Sequence, residues 1–280
     1  MIRKPEWLKV RLPQGEIPAY VGEVIRRHGL HTVCTSALCP NRGECWGNGT
    51  ATFMLGGDIC TRSCKFCNVT TGRPAPLDPA EPDNIAQSVK LLRLKHAVLT
   101  SVDRDDLPDL GASHWAKVVG AVRSANPLVT METLIPDFQG RKELIDMVIN
   151  ASPEIISHNM ETVRRLSKAV RSRATYELSL TVIEHIAASG RAVAKSGIMV
   201  GLGETHDEVL ETMRDLRNAG CSVLTVGQYL RPSKANIEVA EYIHPDVFEQ
   251  YRVAGLEMGF RFVESAPLVR SSFHAEKHLF

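Results

Sequence analysis

The chain lacks an excess of charge of one sign, and it lacks any long apolar run. Its 33 Lys and Arg residues nearly balance its 32 Asp and Glu residues, so the formal net charge is only +1. Because nucleic-acid binding through counterion release needs a concentrated basic face, we expect no nucleic-acid partner. No window approaches the roughly 18 consecutive apolar residues of a membrane-spanning helix, so we also expect no membrane partner.

The first residues, 1–7, lack the apolar core of a signal peptide, and we therefore expect a cytoplasmic protein. In that reducing compartment clustered cysteines bind metal more often than they form disulfides. The total of 7 cysteines is odd. Cys221 lies outside the clusters in an apolar stretch, so we expect it to be a small buried residue.

Short apolar runs alternate with helical patterns from residue 53 onward, which indicates repeated βα units. The predicted strands are 52–55, 97–101, 128–132, 154–159, 197–201, 223–228 and 261–264. The predicted helices are 84–94, 113–124, 142–149, 175–188, 207–219 and 245–258. Strands buried on both faces and joined by helices favour a parallel sheet. We therefore predict an α/β fold, a partial or full TIM-type (βα) barrel with its functional groups at the C-terminal ends of the strands.

The chain divides into three predicted parts. Residues 1–51 do not follow the βα alternation and form an N-terminal extension, residues 52–265 form the barrel, and residues 266–280 form a C-terminal tail. Within the barrel, Thr205 and Glu208 have the spacing of a capping box, and Gly220 is placed to end the same helix.

Two cysteine triplets of different spacing carry the main chemical signal. They are Cys34, Cys39 and Cys45 (C-x4-C-x5-C), then Cys60, Cys64 and Cys67 (C-x3-C-x2-C). Three thiolates can hold three corners of a [4Fe-4S] cluster and leave one iron free, whereas tetrahedral zinc needs a fourth protein ligand. No C-x2-C or H-x3-H pair downstream supplies one to the second triplet. We predict an iron-sulfur cluster there, with structural zinc as the alternative.

The first triplet has longer intervals, rich in turn residues such as Pro40, Asn41 and Gly43. Such a loop favours folding around a compact object, and a second cluster is the simplest one. Zinc is a stronger alternative here, because His31 could complete four ligands.

Candidate cofactor contacts lie near the predicted strand ends. The stretch 197–204 places glycines, Gly201 among them, before a capped helix, so that the backbone can approach a cofactor closely. Tight packing of strand against helix is the alternative. The polar candidates for the same cavity are Glu132, Asn159, Glu161 and Lys195. Each is equally explained as a hydrogen-bonded structural group.

The second triplet follows the first predicted barrel strand, and Phe66 directly precedes its last cysteine. This pattern resembles the radical S-adenosylmethionine (SAM) superfamily. The resemblance implies that the free iron is chelated by the amino and carboxylate groups of SAM. Transfer of an electron to the sulfonium would then give methionine and a 5′-deoxyadenosyl radical, which attacks C–H bonds that have no acidity.

Further segments are similar to the lipoyl synthase family over roughly residues 30–275. They are 31–34, 39–46, 53–58, 101–107, 131–138, 158–163, 195–204, 227–233 and 269–275. The chain departs from the residues usual in that family at Ser157, at Ala235 and Asn236, and at Phe273, where tyrosine is usual.

This resemblance implies a radical sulfurtransferase that inserts two sulfur atoms, at C6 and C8, into an octanoyl chain on a lysine of a lipoyl carrier domain. Cys60, Cys64 and Cys67 would hold the radical-generating cluster. The first triplet and Ser272 would hold an auxiliary [4Fe-4S] cluster that donates the sulfur. A hard serine oxygen suits thiolate-bound iron poorly, so Ser272 could be released when that iron leaves.

The implied partners are octanoylated E2 subunits, octanoylated glycine cleavage H protein, and a ferredoxin or flavodoxin-type electron donor. Two alternatives remain open. The chain could be another radical SAM enzyme whose auxiliary cluster is not consumed. It could also be a zinc-stabilised binding module, although neither triplet has a fourth thiolate nearby.

Overall fold

A computed structural model describes residues 3–9, 16–36, 39, 41–47 and 49–279. The strands are β1 (His31–Thr32), β2 (Thr50–Leu55), β3 (Ile59–Cys60), β4 (Thr70–Thr71), β5 (His96–Ser101), β6 (Thr130–Leu134), β7 (Ile155–Ser157), β8 (Val193–Val200), β9 (Val223–Gln228) and β10 (Phe262–Ser265). The helices are α1 (Glu16–Arg27), α2 (Val33–Ser36), α3 (Arg42–Gly47), α4 (Glu81–Leu91), α5 (Ala112–Ala125), α6 (Lys142–Asn150), α7 (Arg164–Val170), α8 (Tyr176–Ala188), α9 (His206–Asn218) and α10 (Pro245–Glu257).

The main sheet has the order β1-β2-β5-β6-β7-β8-β9-β10. The short edge strand β1 is antiparallel to β2, and every other pair in this sheet is parallel. Helices connect the parallel strands, and β1 and β10 form the two edges. This arrangement is a partial TIM-type barrel, which confirms the predicted α/β class.

Every residue of β2 and β9 is buried, including polar residues such as Thr52 and Gln228, which is typical of parallel strands covered on both faces. Strand β9 has its predicted bounds, whereas the other predicted strands differ from the structure at one or both ends, most of all β6 and β8. Strand β6 begins at Thr130 rather than at 128, because Leu128 is 95% exposed in a turn. Strand β8 begins at Val193 rather than at 197. Its first half contains the polar residues Lys195 and Ser196, which are unusual in a buried strand but lie fully buried inside the barrel.

The predicted capping box is present at the start of α9. Thr205 accepts a hydrogen bond from the backbone of Glu208, and the Glu208 side chain accepts one from the backbone of Thr205. Gly220 follows the helix with φ 87°, a left-handed conformation suited to glycine. Cys221 is fully buried, as predicted.

The tail after β10 is packed along the open side of the sheet. Thr50, at the start of β2, donates a hydrogen bond to Glu276 at 3.2 Å, and the ring of Phe262, at the start of β10, lies 4.8 Å from the ring of His278. Ala275 and His278 are fully buried. The tail therefore contacts both edge regions of the partial barrel.

Within the part of the chain that the structure describes, no helix combines the length and the apolar character that a membrane crossing needs.

Candidate functional site

The second cysteine triplet lies in a loop that follows the carboxyl end of β2. The short parallel pair β3 and β4 closes this loop, and the backbone N–H of Cys67 donates to the carbonyl of Cys64 at 3.1 Å. All three cysteines are half-buried, so their sulfurs are sheltered but reachable. The loop stands where the prediction placed the chemistry, at the C-terminal face of the barrel.

Backbone donors face two of these sulfurs. The Sγ of Cys60 accepts hydrogen bonds from the N–H groups of Arg62 and Asp103 at 3.4 and 3.3 Å. The Sγ of Cys67 accepts one from the N–H of Val69 at 3.4 Å. Burial raises the pKa of the Cys60 thiol to about 11, against the effect of these donors. A bound metal would supply the positive charge that keeps the thiolates ionised, so this donor set fits an iron-sulfur cluster.

The first triplet is brought together by two short helices. Cys34 lies in α2 and Cys45 in α3, and the N–H of Cys39 donates to the carbonyl of Cys34 at 3.1 Å. Burial raises the pKa of the Cys45 thiol to about 12, and the neighbouring Cys34 and Cys39 add to this effect. The three sulfurs therefore share one environment. Pro40, part of the predicted turn, lies outside the described residues.

The C-terminal tail is held against the first triplet on both sides of Ser272. Asn41 donates to the carbonyl of Leu268 at 2.7 Å, before Ser272 in the tail. After it, the His274 ring lies 3.2 Å from the Glu44 carboxylate. The tail segment that carries Ser272 thus lies beside the segment that carries Cys39 and Cys45, and the role of Ser272 as a ligand stays a prediction.

Among the described residues, no three His, Cys, Asp or Glu side chains are grouped closely enough to hold a single metal ion. A four-iron cluster separates its thiolates more widely than one ion does, so this finding leaves both predicted clusters untested.

Glu132 and Lys195, two of the predicted cofactor contacts, bind each other. The Lys195 Nζ lies 2.8 and 2.7 Å from the two carboxylate oxygens of Glu132, and both side chains are fully buried. Ser157 also donates to Glu132 at 2.9 Å. Burial lowers the pKa of Lys195, whereas Glu132 opposes that shift. The pair is a satisfied group inside the barrel, and a direct cofactor contact from either residue stays a prediction.

Asn159 and Glu161 follow β7 and lie beside the second triplet. The Oδ1 atom of Asn159 is buried and has no hydrogen-bond partner among the described residues. Glu161 has φ 69°, a strained value for a residue with a side chain. Burial raises its pKa, while Arg171 and Asn159 lower it. Glu161 is close enough to Cys67 to raise the pKa of that thiol. An unpaired amide oxygen and a half-buried carboxylate at this place fit a polar, partly cationic ligand.

Gly201 has φ 98°, and a Cβ there would overlap the Gln228 amide and the carbonyl of Glu241. Packing against its own chain therefore accounts for this glycine, which is the alternative given by the sequence. Its predicted contact with a cofactor stays a prediction.

Sequence reasoning missed Arg62 and Arg171. Arg62 lies inside the second triplet and binds the carboxylates of Asp105 and Asp137. Arg171 donates to the carbonyl of Met160 at 3.3 Å. The position of Arg62 between two cysteines was the available signal, whereas the sequence around Arg171 contains none that we can identify.

A cavity of about 600 Å³ lies beyond the end of β9. Its wall combines apolar and basic side chains, including Leu230, Val239, Tyr242, Lys4, Arg231 and Lys234. Asn236, from the same connection, donates to the carbonyl of Cys67 at 2.8 Å. Burial lowers the pKa of Lys4, and the tail residue Arg270 lowers it further. The connection that lines the cavity therefore contacts the second triplet, and Lys4 in its wall lies near the tail residue Arg270.

Known proteins resemble this chain over most of its length. Residues 54–216 match the Radical SAM superfamily. A lipoyl synthase of Treponema denticola is 65% identical over 277 residues, 99% of this chain and 95% of the relative. A lipoyl synthase of Parabacteroides distasonis is 62% identical and covers 99% of each chain.

Solved structures support the fold. Methylornithine synthase (PylB) has a TM-score of 0.53 and 13% identity, over 89% of this chain and 86% of that one. Coproporphyrinogen III oxidase (HemN) from Escherichia coli has a TM-score of 0.55 and 13% identity, over 88% and 57%. At such low identity, the likeness concerns the fold alone.

Proposed function

The chain belongs to the lipoyl synthase family of the radical SAM superfamily, and we propose that Cys60, Cys64 and Cys67 hold its radical-generating [4Fe-4S] cluster. The enzyme is a radical SAM sulfurtransferase that inserts sulfur at C6 and C8 of a protein-bound octanoyl-lysine. The observation that carries the residue assignment is the sheltered loop with N–H groups directed at two of its sulfurs.

When bound, the cluster and SAM supply the radical that removes hydrogen from unactivated carbon. The task of the protein is to hold SAM and to exclude water. We propose that Asn159 and Glu161 contact SAM directly, because the Asn159 oxygen lacks a partner and Glu161 lies beside Cys67. The ion pair of Glu132 and Lys195 would support the wall of the SAM site, and Gly201 would let the backbone pass close to SAM.

We propose that Cys34, Cys39, Cys45 and Ser272 hold a second [4Fe-4S] cluster, which serves as the sulfur-donating substrate. The tail contacts on both sides of Ser272 support this assignment. Each target carbon must lie close both to SAM and to the donated sulfide, because a free radical would otherwise react with the protein. We propose that the cavity beyond β9 admits the substrate, because the connection that lines it contacts the loop of the second triplet.

The same cavity suits the octanoyl-lysine arm. Leu230, Val239 and Tyr242 offer an apolar wall for the acyl chain. We propose that octanoylated E2 subunits and glycine cleavage H protein dock at its opening, that a ferredoxin or flavodoxin supplies electrons, and that the reaction takes place in the cytoplasm.

The assignment is tested by anaerobic reconstitution with an octanoyl-lysine peptide, comparing wild type with Cys34→Ala, Cys60→Ala and Cys221→Ala. We expect Cys60→Ala to abolish SAM cleavage, and Cys34→Ala to retain SAM cleavage but to make no thiolated product. Cys221→Ala is the matched control, because this cysteine is buried outside both triplets, and its iron content should equal that of wild type. A Cys34→Ala enzyme with wild-type thiolation would contradict the sulfur-donor assignment.

A loss of sulfide from the protein in step with product formation separates this reaction from that of a radical SAM enzyme whose second cluster is not consumed.

A further inference from the structure

Arg62 lies in the loop of the second triplet, between Cys60 and Cys64, yet its side chain is only 5% exposed. Its backbone N–H donates to Cys60, while its guanidinium reaches the loops that follow β5 and β6. Arg62 therefore connects Cys60 to the loops that follow β5 and β6.

The guanidinium makes two bidentate pairs. Its Nε and Nη2 atoms donate to the Asp105 carboxylate, each at 2.8 Å. Its Nη1 and Nη2 atoms donate to the Asp137 carboxylate at 2.7 and 2.9 Å. Planar fork-to-fork contacts of this kind fix orientation as well as distance, which a lysine ammonium cannot do.

A third carboxylate, that of Asp103, connects the Arg62 guanidinium to the loop of the second triplet. Asp103 lies 3.3 Å from the Nε of Arg62, and its Oδ2 lies 3.7 Å from the Sγ of Cys60. One buried cation thus faces three carboxylates. Arg173 adds a contact to Asp105 at 3.4 Å, but its side chain is 62% exposed, so solvent screens its charge.

We propose that Arg62 is a positioning residue for the radical-generating cluster. Its two bidentate pairs fix the loop that carries Cys60, and its positive charge offsets the carboxylates beneath the loop so that the cluster accepts an electron from the external donor. This inference rests on the proposed placement of that cluster on Cys60, Cys64 and Cys67. Without Arg62, three carboxylates would remain near the cluster, and the cations left to balance them are the exposed Arg173 and the buried Arg171, which lies near Asp137.

The test uses the full chain reconstituted with iron and sulfide, with dithionite as the one-electron reductant. The signal is the paramagnetic resonance of the reduced cluster that changes when SAM is added. Two quantities are measured: the midpoint potential of this signal, and the rate at which a chelator removes iron. Arg62→Gln should give a more negative potential and faster iron loss, because both the charge and the anchor are removed.

Two further variants distinguish the effect of the Arg62 charge on the potential from the effect of its bidentate pairs on iron loss. Arg62→Lys keeps the positive charge but loses the bidentate pairs. The midpoint potential of the cluster should therefore stay near that of wild type, while iron loss is faster. Combining Arg62→Gln with Asp105→Asn and Asp137→Asn removes one positive and two negative charges, so the potential should be at or above the wild-type value while iron loss stays fast. Arg173→Gln is the matched control and should leave both quantities near wild type.

A folded Arg62→Gln variant with wild-type potential and wild-type iron loss would overturn the proposal. If that variant takes up no cluster, Arg62→Lys and the triple variant decide, since wild-type rates of iron loss in both would show that Arg62 does not anchor the loop. Failure of the cluster placement itself would appear differently, as a SAM-responsive signal that survives in Cys60→Ala.

Discussion

At the scale of single residues, the centre of the barrel contains an ion pair that is fully removed from water. Lys195 and Glu132 are both fully buried, and Ser157 satisfies one further carboxylate lone pair. The cost of removing two charges from water makes such a pair a poor source of net stability. Removing one partner is far more costly, because the other charge is left buried without compensation.

We predict that Lys195→Met lowers the free energy of unfolding by about 3–5 kcal/mol, because Glu132 then has no counter-charge. The double variant Lys195→Met with Glu132→Leu should recover most of this loss, since no buried charge remains. Anaerobic guanidinium unfolding of wild type, the single variant and the double variant measures both effects. A double variant as unstable as the single one would show that the cost arises from packing instead of charge.

At the scale of elements, α9 begins with a complete capping box and its amide groups are satisfied locally. The hydroxyl of Thr205 accepts from the N–H of Glu208 at 3.3 Å, and the Glu208 carboxylate accepts from the N–H of Thr205 at 2.8 Å. Arg165 of α7 also contacts Glu208 at 2.7 Å, which links the cap to a neighbouring helix. The cap therefore fixes where the connection from β8 becomes helical.

Thr205→Ala should cost about 0.5–2 kcal/mol of stability, because the N–H of Glu208 loses its acceptor. The matched control is Thr181→Ala in the interior of α8, where the hydroxyl only bonds the preceding turn at Glu177. That control should be neutral or slightly stabilising, since alanine is the better helix former. Thermal unfolding of both variants under the same conditions makes the comparison, and equal losses would argue against a specific capping effect.

At the scale of the whole molecule, the tail joins parts that are distant in sequence. It passes close to Gly227 of β9, contacts the first triplet through Asn41, and ends between the edges of the sheet at Thr50 and Phe262. A Cβ at position 227 would overlap the carbonyl oxygen of Val269. The place of Ser272 therefore depends on the absence of a side chain in a different element.

We predict that Gly227→Ala displaces the tail and lowers the iron bound at the first triplet, while the SAM-responsive cluster is retained. Gly120→Ala in α5 is the matched control, because a Cβ there would meet no neighbour within 4 Å. Iron analysis with resonance spectra, with and without SAM, measures both clusters. Full iron content in Gly227→Ala would show that the tail is not needed to hold the second cluster.

The sequence alone determined the α/β class, most strand and helix positions, the capping box of α9 and the burial of Cys221, because these depend on local periodicity and on residue type. It also singled out both cysteine triplets through their spacing. Only the tertiary structure decided that Lys195 binds Glu132, that Arg62 pairs with Asp105 and Asp137, and that the tail lies against the first triplet. These contacts join residues on different strands and loops, and a single sequence holds no signal for which polar groups will meet once the strands are aligned.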